Sequence, residues 1–161
     1  MRLCFYFFEA SVKILFICLA NVCRSYMAQE ILKNLSEKNN RTDIEAFSRG
    51  TFVDPELKVP KKINNFLLKN GITPASHIPT QYSRKDLETS DLILVMERYQ
   101  YEEITDRYSE FTDKIYLLNE YISNDKKDVP DPIGLEGAAF EKVASVLMNN
   151  IKMLYDKLQN G

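Results

Sequence analysis

The sequence has few cysteines, one histidine and no long uninterrupted apolar run. Its three cysteines, at positions 4, 18 and 23, are odd in number and lack a framework spacing. This argues against a disulfide-stapled secreted domain and favours a reducing cytoplasm. Glu9 and Lys13 interrupt the apolar N-terminal stretch. Because no run approaches the roughly 20 residues of a spanning helix, we expect neither a membrane segment nor a signal peptide.

An excess of basic charge is also missing, as are internal repeats, low-complexity segments and linkers. Lysine and arginine number 21 against 23 acidic residues, for a net charge of -2. We therefore expect no general nucleic-acid surface. The 161 residues suffice for one domain with a core and are too few for two ordinary ones. We assign residues 1–12 to an N-terminal extension and residues 13–161 to a single domain.

Segments of strand and helix character alternate along this domain. Apolar or alternating runs predict strands, and 3.6-residue spacing predicts helices. The predicted strands are 13–20, 43–48, 91–97 and 114–121, and the predicted helices are 24–39, 59–71, 98–108 and 138–158. The pair Arg49-Gly50 predicts a turn that ends the second strand. This order predicts an α/β fold, a three-layer α/β/α sandwich with a central four-stranded parallel sheet.

The loop "CLANVCRS" between the first strand and first helix carries the most reactive side chains. Ligands of open parallel sheets bind beyond the carboxyl ends of the strands, where this loop lies. Its backbone N–H groups and the positive end of the helix suit a phosphate, onto which Arg24 can fork two hydrogen bonds. The positive charge of Arg24 and the positive end of the helix also favour the thiolate form of Cys18. We predict attack of Cys18 on phosphorus, giving a phosphocysteine without metal or cofactor, with Ser25 donating to the thiolate.

Phosphoryl transfer also needs a proton donor, and then a base for the attacking water. Asp131 lies between two prolines in "VPDPIG", in the loop after the fourth strand and at the same sheet edge as Cys18. The prolines restrict where its carboxylate can swing. We predict Asp131 as the acid and then the base, with inorganic phosphate as the product.

Together these residues resemble the low-molecular-weight protein tyrosine phosphatase family, whose signature C-L-G-N-I-C-R-S-P-M-A-E corresponds here to "CLANVCRSYMAQE". The segments "FSRGT", "DLILVME" and "DPIG" also match, so the resemblance covers residues 13–158. It implies Cys18 as nucleophile, Arg24 as the binder of phosphate and transition state, and Asp131 as acid and base. The implied phosphate-binding loop also contains Leu19, Ala20, Asn21, Val22, Cys23 and Ser25.

The resemblance implies further roles and exposes departures from the family pattern. Asn21 and Ser48 would form the hydrogen bond that holds the strained loop. Cys23 would be a redox partner that shields Cys18 in a reversible disulfide. Ala20 replaces a glycine, so a positive φ there would bring strain. The other departures are Tyr26 for proline, which removes a helix starter, and Arg49 for alanine, which we expect to point to water.

Two positions bear on the substrate, which we expect to be a phosphorylated protein. Ile133 is the predicted substrate-pocket wall, where many tyrosine-specific members have an aromatic residue. The bacterial branch that this chain resembles includes protein-arginine phosphatases, which typically have threonine where this chain has Val22. Since Val22 lacks that hydroxyl, we favour phosphotyrosine and keep phosphoarginine as the alternative.

Other functions on a similar loop stay open. An arsenate-reductase relay would need cysteines beyond Cys23, and the chain has none. A cysteine phosphocarrier is opposed by Arg24 and Asp131, since a carrier preserves its phosphocysteine. A phosphate-binding pseudo-enzyme is opposed by retention of the nucleophile, arginine and acid. His77 is expected to have a structural role, because this chemistry does not require it.

Overall fold

The computed structural model describes residues 10–161, so most of the predicted extension, residues 1–12, lies outside the described range. Four parallel strands form one sheet in the order β2-β1-β3-β4. They are β1 (Val12–Cys18), β2 (Ile44–Gly50), β3 (Leu92–Val95) and β4 (Ile115–Leu117). The helices described are α1 (Arg24–Lys38), α2 (Lys61–Lys69), α3 (Arg84–Thr89), α4 (Arg98–Arg107), α5 (Leu118–Ser123) and α6 (Gly137–Gln159), and a 3-10 helix (Ser109–Lys114) precedes β4.

The sheet is covered on both faces, and each face has its own core. Alternate side chains of β1 point to opposite faces, as the period of two in a strand requires. Ile14 and Phe16 pack with residues of α1 and α6, whereas Leu15 and Ile17 pack with residues of α3 and α4. All four are fully buried. The predicted three-layer α/β/α sandwich is confirmed, and its doubly covered central strand explains the continuous apolar run.

The predicted fourth strand, 114–121, is wrong in its second half. Only Ile115–Leu117 is extended, and α5 begins at Leu118. β3 ends at Val95, which pairs with Leu117, so no neighbouring strand is left to extend the ladder. Leu118 is buried and Tyr121 and Ile122 pack beside it, an i, i+3, i+4 spacing that fits a helix.

The expected turn at Arg49-Gly50 is also wrong, because β2 continues through Gly50 and pairs there with Cys18. A Cβ atom at Gly50 would lie 2.6 Å from the Leu19 carbonyl oxygen and 2.6 Å from Val53 Cγ2. Glycine therefore allows the end of β2 to approach the loop after β1. The pair "RG" marks this close approach rather than a reversal of the chain.

Helix α3 was not predicted, although its start has a recognisable signal. Ser83 and Asp86 form a capping box, in which the Ser83 hydroxyl accepts from the Asp86 N–H and the Asp86 carboxylate accepts from the Ser83 N–H.

Among residues 10–161, no helix is both long and apolar enough to cross a membrane.

Candidate active site

The candidate site lies at the carboxyl ends of β1, β2 and β3, where the loop after β1 is bound by backbone on both sides. On the β2 side, the Thr51 N–H donates to the Cys18 carbonyl at 3.0 Å, and the Phe52 N–H donates to the Leu19 carbonyl at 2.9 Å. On the β3 side, the Met96 N–H donates to the Ile17 carbonyl at 3.1 Å. The sheet edge thus brings two separate segments around the end of β1 and the loop that follows it.

Asn21 holds the shape of this loop. Its φ of 57° is left-handed, a region that asparagine tolerates better than most residues. Its side-chain amide donates to Ser25 Oγ and to Ser48 Oγ, each at 2.9 Å, and Asn21 Oδ1 accepts from the Thr80 N–H at 3.0 Å. The side chain is fully buried, so every one of these bonds replaces lost hydration.

The network around Asn21 extends into α1. The Ser48 hydroxyl donates to Gln29 Oε1 at 2.8 Å, and Gln29 Nε2 donates to Glu30 Oε1 at 2.8 Å. Glu30 Oε2 then accepts from the Ala75 N–H at 3.0 Å. A continuous chain of polar groups therefore joins the loop, β2 and the first turns of α1 to the segment that contains Ala75.

The segment that includes His77 supports the loop from outside. His77 Nε2 lies 2.8 Å from the Asn21 carbonyl oxygen, so Nε2 carries the proton and donates it. The imidazole stacks on the Tyr26 ring with centroids 4.4 Å apart. Burial lowers the pKa of His77, and its hydrogen bond to Asn21 opposes that change. The structural role expected for His77 thus has a definite partner.

The Cys18 sulfur lies 3.0 Å from Ser25 Oγ, and both side chains are buried. Ser25 Oγ already accepts a hydrogen from the Asn21 amide. Its own hydroxyl hydrogen is therefore free to point at the Cys18 sulfur. A donor in this position stabilises a sulfur that carries negative charge.

Arg24, the first residue of α1, places its guanidinium between the end of β3 and the loop after α5. Nη1 donates to the Val129 carbonyl at 2.9 Å and also pairs with the Glu97 carboxylate, while Nη2 lies 3.2 Å from Asp131 Oδ2. Among the described residues Nε has no acceptor, although it is buried. Arg24 therefore retains a buried donor for an anion.

Asp131 and Cys18 share one small cavity of about 110 Å³. Asp131 Oδ1 accepts from the Ile133 N–H at 3.0 Å, which orients the carboxylate towards Arg24. The residues that line the cavity are Cys18, Leu19, Ala20, Val22, Cys23, Arg24, Asp131 and Ile133. The tertiary structure thus brings together the three predicted catalytic side chains and the predicted pocket wall.

Comparison with known proteins identifies the family of this chain. The model of the family described as "Low molecular weight phosphotyrosine protein phosphatase" matches residues 13–161. The chain belongs to this family. The predicted resemblance and the predicted class, a cysteine-dependent phosphatase that uses no metal, are therefore confirmed.

Relatives of this low-molecular-weight phosphatase carry two kinds of name. The protein-arginine-phosphatase of Bacillus subtilis is 26% identical over 146 residues, which are 91% of this chain and 96% of the relative. The low molecular weight protein-tyrosine-phosphatase PtpB of Staphylococcus haemolyticus is 32% identical over 124 residues, covering 76% of this chain and 83% of the relative. A solved low molecular weight protein tyrosine phosphatase from T. tengcongensis has a TM-score of 0.84 at 31% identity, covering 91% of this chain and 99% of that structure.

The structure bears on two departures from the family pattern. The condition for strain at Ala20 is not met, since the positive φ of the loop is at its neighbour Asn21. The expectation for Arg49 is wrong. Arg49 does not simply point to water. It forms an ion pair with Asp86 of α3, with Nη2 and Oδ1 3.2 Å apart, and its Nη1 donates to the Ser48 carbonyl at 2.9 Å.

Tyr26, in place of the family proline, adds contacts that proline could not make. Its hydroxyl donates to the Ala75 carbonyl at 3.1 Å, and Asn64 Oδ1 lies 3.3 Å away. Burial, with a smaller effect from the Glu30 charge, raises the pKa of Tyr26 to about 12. The neutral phenol therefore connects α1 to the segment that carries His77.

Cys23 has surroundings that disfavour its thiolate form. Burial raises the pKa of the Cys23 thiol strongly, and the negative charge of Asp131 raises it further. Both thiols are free in the structure. Cys23 is therefore protonated at neutral pH, and its redox role stays a prediction.

The sequence interpretation missed three contributors to the phosphatase site. Glu97 was read only as the end of a strand, although it binds Arg24. Gln29 lies in the matched signature but gave no separate signal. Phe52 directly follows the matched segment "FSRGT", its backbone is bound to the loop at Leu19, and 76% of the residue is exposed. The position of Phe52 directly after the matched segment is the signal that the sequence offers for it.

Proposed function

We propose that this low-molecular-weight phosphatase hydrolyses phosphotyrosine in proteins through a phosphocysteine intermediate. The observation that carries the proposal is the meeting of Cys18, Arg24 and Asp131 around one cavity. The 3.0 Å contact between Cys18 and Ser25 supports the assignment of Cys18 as nucleophile, since it offers the sulfur a hydrogen-bond donor.

In the first proposed step, the Cys18 thiolate attacks phosphorus and forms an S–P bond. The bond between phosphorus and the tyrosine oxygen breaks, and Asp131 gives its proton to that oxygen. Arg24 and the backbone N–H groups of the loop bind the phosphoryl oxygens as their charge redistributes.

In the second proposed step, a water molecule attacks the phosphocysteine. Asp131, now a carboxylate, takes a proton from this water, and the S–P bond breaks to release inorganic phosphate. The Cys18 sulfur leaves as a thiolate, which the Ser25 hydroxyl stabilises. Asp131 is then protonated and Cys18 is ionised, as at the start of the cycle.

The apolar walls of the cavity support an aromatic phosphoester as the substrate. Apart from Cys18, Cys23, Arg24 and Asp131, the lining consists of Leu19, Ala20, Val22 and Ile133. Leu19 and Ile133 are partly exposed at 44% and 39%, whereas Val22 is buried. A phenyl ring can pack on such side chains, whereas a guanidinium would lose hydration without gaining a polar partner beyond Asp131.

Phosphoarginine is the second candidate substrate, by the same two steps. It is favoured by the relative named protein-arginine-phosphatase, which aligns over 91% of this chain. Val22 opposes it, because a valine side chain cannot orient the attacking water through a hydroxyl. The two candidates therefore differ in what they require at one position of the loop.

Hydrolysis of para-nitrophenyl phosphate in the presence of a metal chelator tests the mechanism. We expect turnover by the wild type and none by Cys18→Ser. For Asp131→Asn we expect a loss on the order of 100-fold with phenyl phosphate, whose leaving group is poorer. Asp125→Asn is a matched control, since Asp125 also accepts the N–H of the residue two positions later. Activity surviving in Cys18→Ser would refute the phosphocysteine route, and an inactive wild type would indicate a pseudo-enzyme.

A comparison of kcat/KM on phosphotyrosine and phosphoarginine peptides tests the substrate. We expect the wild type to prefer phosphotyrosine, and Val22→Thr to shift the ratio towards phosphoarginine. A strong preference of the wild type for phosphoarginine would overturn the first candidate while leaving the mechanism intact.

The cytoplasmic location stays a separate prediction, which cell fractionation can check.

A further inference from the structure

The segment that carries Asp131 has few anchors of its own. Its start is fixed by the Val129 N–H, which donates to the Met96 carbonyl at 2.8 Å. Beyond Asp131 the backbone forms one local hydrogen bond, from the Leu135 N–H to the Pro132 carbonyl at 3.0 Å, before α6 begins. The Asp131 carboxylate pairs with Arg24, and the path of the backbone beyond it depends on what holds residues 132–136.

Lys62 of α2 supplies that hold from a distant part of the chain. Its Nζ lies 2.6 Å from the Ile133 carbonyl oxygen, 2.7 Å from the Leu135 carbonyl oxygen and 3.0 Å from Glu136 Oε1. An ammonium group has three hydrogens, and here each one has an acceptor on the same short segment. Two of the acceptors are backbone carbonyls, so the contact fixes the path of the chain rather than one side chain.

The helix that carries Lys62 is itself rigidly placed. Its neighbour Ile63 is fully buried, and Phe66 is 2% exposed and meets the Phe140 ring of α6 edge to face, with centroids 6.0 Å apart. The Lys62 ammonium lies 5.4 Å from the same Phe140 ring. Lys62 thus belongs to a helix that is packed firmly on the core, and only 21% of its side chain is exposed.

We propose that Lys62 is a positioning residue for Asp131, acting through the backbone of residues 133–135. This inference rests on the proposed function of Asp131 as proton donor. Without the ammonium, the Ile133 and Leu135 carbonyls lose their common partner and the turn after Asp131 can relax. The Ile133 N–H, which orients the Asp131 carboxylate at 3.0 Å, moves with that turn. Proton donation then suffers, whereas Cys18 and Arg24 stay in place.

This placement predicts a defect that depends on the leaving group. Phenyl phosphate releases a more basic oxygen than para-nitrophenyl phosphate, so its cleavage depends more on the proton donor. For Lys62→Met, which keeps an unbranched apolar side chain, we expect kcat/KM on phenyl phosphate to fall about tenfold further than on para-nitrophenyl phosphate. Lys62→Arg, which keeps the charge and donors, should fall between Lys62→Met and the wild type.

Lys61→Met is the matched control. Lys61 is the adjacent lysine of α2 and is exposed, and its side chain has no hydrogen bond or ion pair within the described part of the chain. We expect its ratio between the two substrates to equal that of the wild type. Loss of folded enzyme would lower both rates equally, so the ratio reports positioning and not stability.

A double-mutant cycle separates positioning of Asp131 from other effects. In an Asp131→Asn background, Lys62→Met should not change the substrate ratio further, because the donor is already absent. An unchanged ratio in Lys62→Met, or an equal further change in the Asp131→Asn background, would overturn the inference. Failure of the proposed role of Asp131 is distinct, because Asp131→Asn alone would then leave the substrate ratio at its wild-type value.

Discussion

The side-chain amide of Asn21 donates a 2.9 Å hydrogen bond to Ser48 Oγ and so joins the loop after β1 to β2. The same amide reaches Ser25, the partner of the Cys18 sulfur. A left-handed residue in the loop is thereby held by a side chain from another strand. The position of the Cys18 sulfur depends on a contact between residues 27 positions apart.

The first prediction concerns Ser48→Ala. This change removes one of the two acceptors of the Asn21 amide and the donor to Gln29. We expect a loss of about 1–3 kcal/mol in the free energy of unfolding. We also expect a fall of roughly tenfold in kcat/KM, since the loop loses part of its support. Urea unfolding and para-nitrophenyl phosphate hydrolysis measure the two effects.

Ser36→Ala is the control for Ser48→Ala. Ser36 is also a buried serine, but its hydroxyl donates to the Leu32 carbonyl within α1, away from the loop. We expect its kcat/KM to match the wild type. Wild-type kcat/KM in Ser48→Ala would contradict a role for Ser48 in loop support.

The second prediction concerns Arg24→Lys, which keeps the charge but loses the planar fork. Arg24 is buried and uses Nη1 and Nη2 for three partners: Val129, Glu97 and Asp131. A lysine ammonium cannot bind two phosphate oxygens in this geometry. We expect kcat/KM to fall on the order of 100-fold to 1,000-fold, measured with para-nitrophenyl phosphate.

Arg84→Lys, at an exposed arginine paired with Glu88, is the control for Arg24→Lys. Equal activities of the two variants would argue against the assignment of Arg24.

The third prediction concerns oxidation of the two buried cysteines. Peroxide converts the Cys18 thiolate to a sulfenic acid, which the Cys23 sulfur can then attack to form a disulfide and release water. Because burial raises the pKa of Cys23, its reactive thiolate is scarce at neutral pH. We therefore expect a Cys18–Cys23 disulfide whose yield increases as the pH is raised.

Mass spectrometry of peptides after mild peroxide treatment at several pH values measures this yield. Cys23→Ser should give none of the linked peptide and more irreversible oxidation of Cys18. Sulfonic acid at Cys18 as the sole oxidised product at every pH would eliminate Cys23 as the redox partner.

The fourth prediction concerns the pH dependence of stability from His77. Burial lowers the folded-state pKa of His77 below its usual value of about 6.5, so the unfolded chain binds the proton more readily. The contribution of neutral His77 is therefore present above pH 6.5 or so, and is lost as the pH falls towards the folded-state pKa. We expect the wild type to lose more thermal stability from pH 7 to pH 5 than His77→Gln does.

Thermal unfolding of both proteins across this pH range checks the prediction. His77 is the single histidine of the chain, so the difference between the two proteins isolates its titration. An identical pH dependence in both would show that protonation of His77 carries no cost to the fold.

The wrong strand prediction over residues 118–121, which form the start of α5, shows where sequence patterns stop being informative. "KIYLLNEY" has the composition of a strand, but β4 ends at Leu117 because β3 has no further residue to pair with it. Arg49 shows the same limit at the surface, since its partner Asp86 lies 37 positions away. The length of a neighbouring strand and the location of an ion partner are long-range properties that local periodicity does not contain.

The sequence by itself determined the layered α/β fold, the loop after β1 and the three side chains around the cavity. The loop with Cys18 and Arg24 follows from short-range order, because a buried strand that runs directly into a helix places the intervening residues at the sheet edge. Asp131 follows from its place between two prolines and from the match of "DPIG" to the family. Only the tertiary structure decided which residues hold them. Three supporting residues come from other elements of the fold. Glu97 pairs with Arg24, His77 hydrogen-bonds the Asn21 carbonyl, and Lys62 donates to the Ile133 carbonyl. Their contacts exist because the folded chain brings distant donors and acceptors together in space.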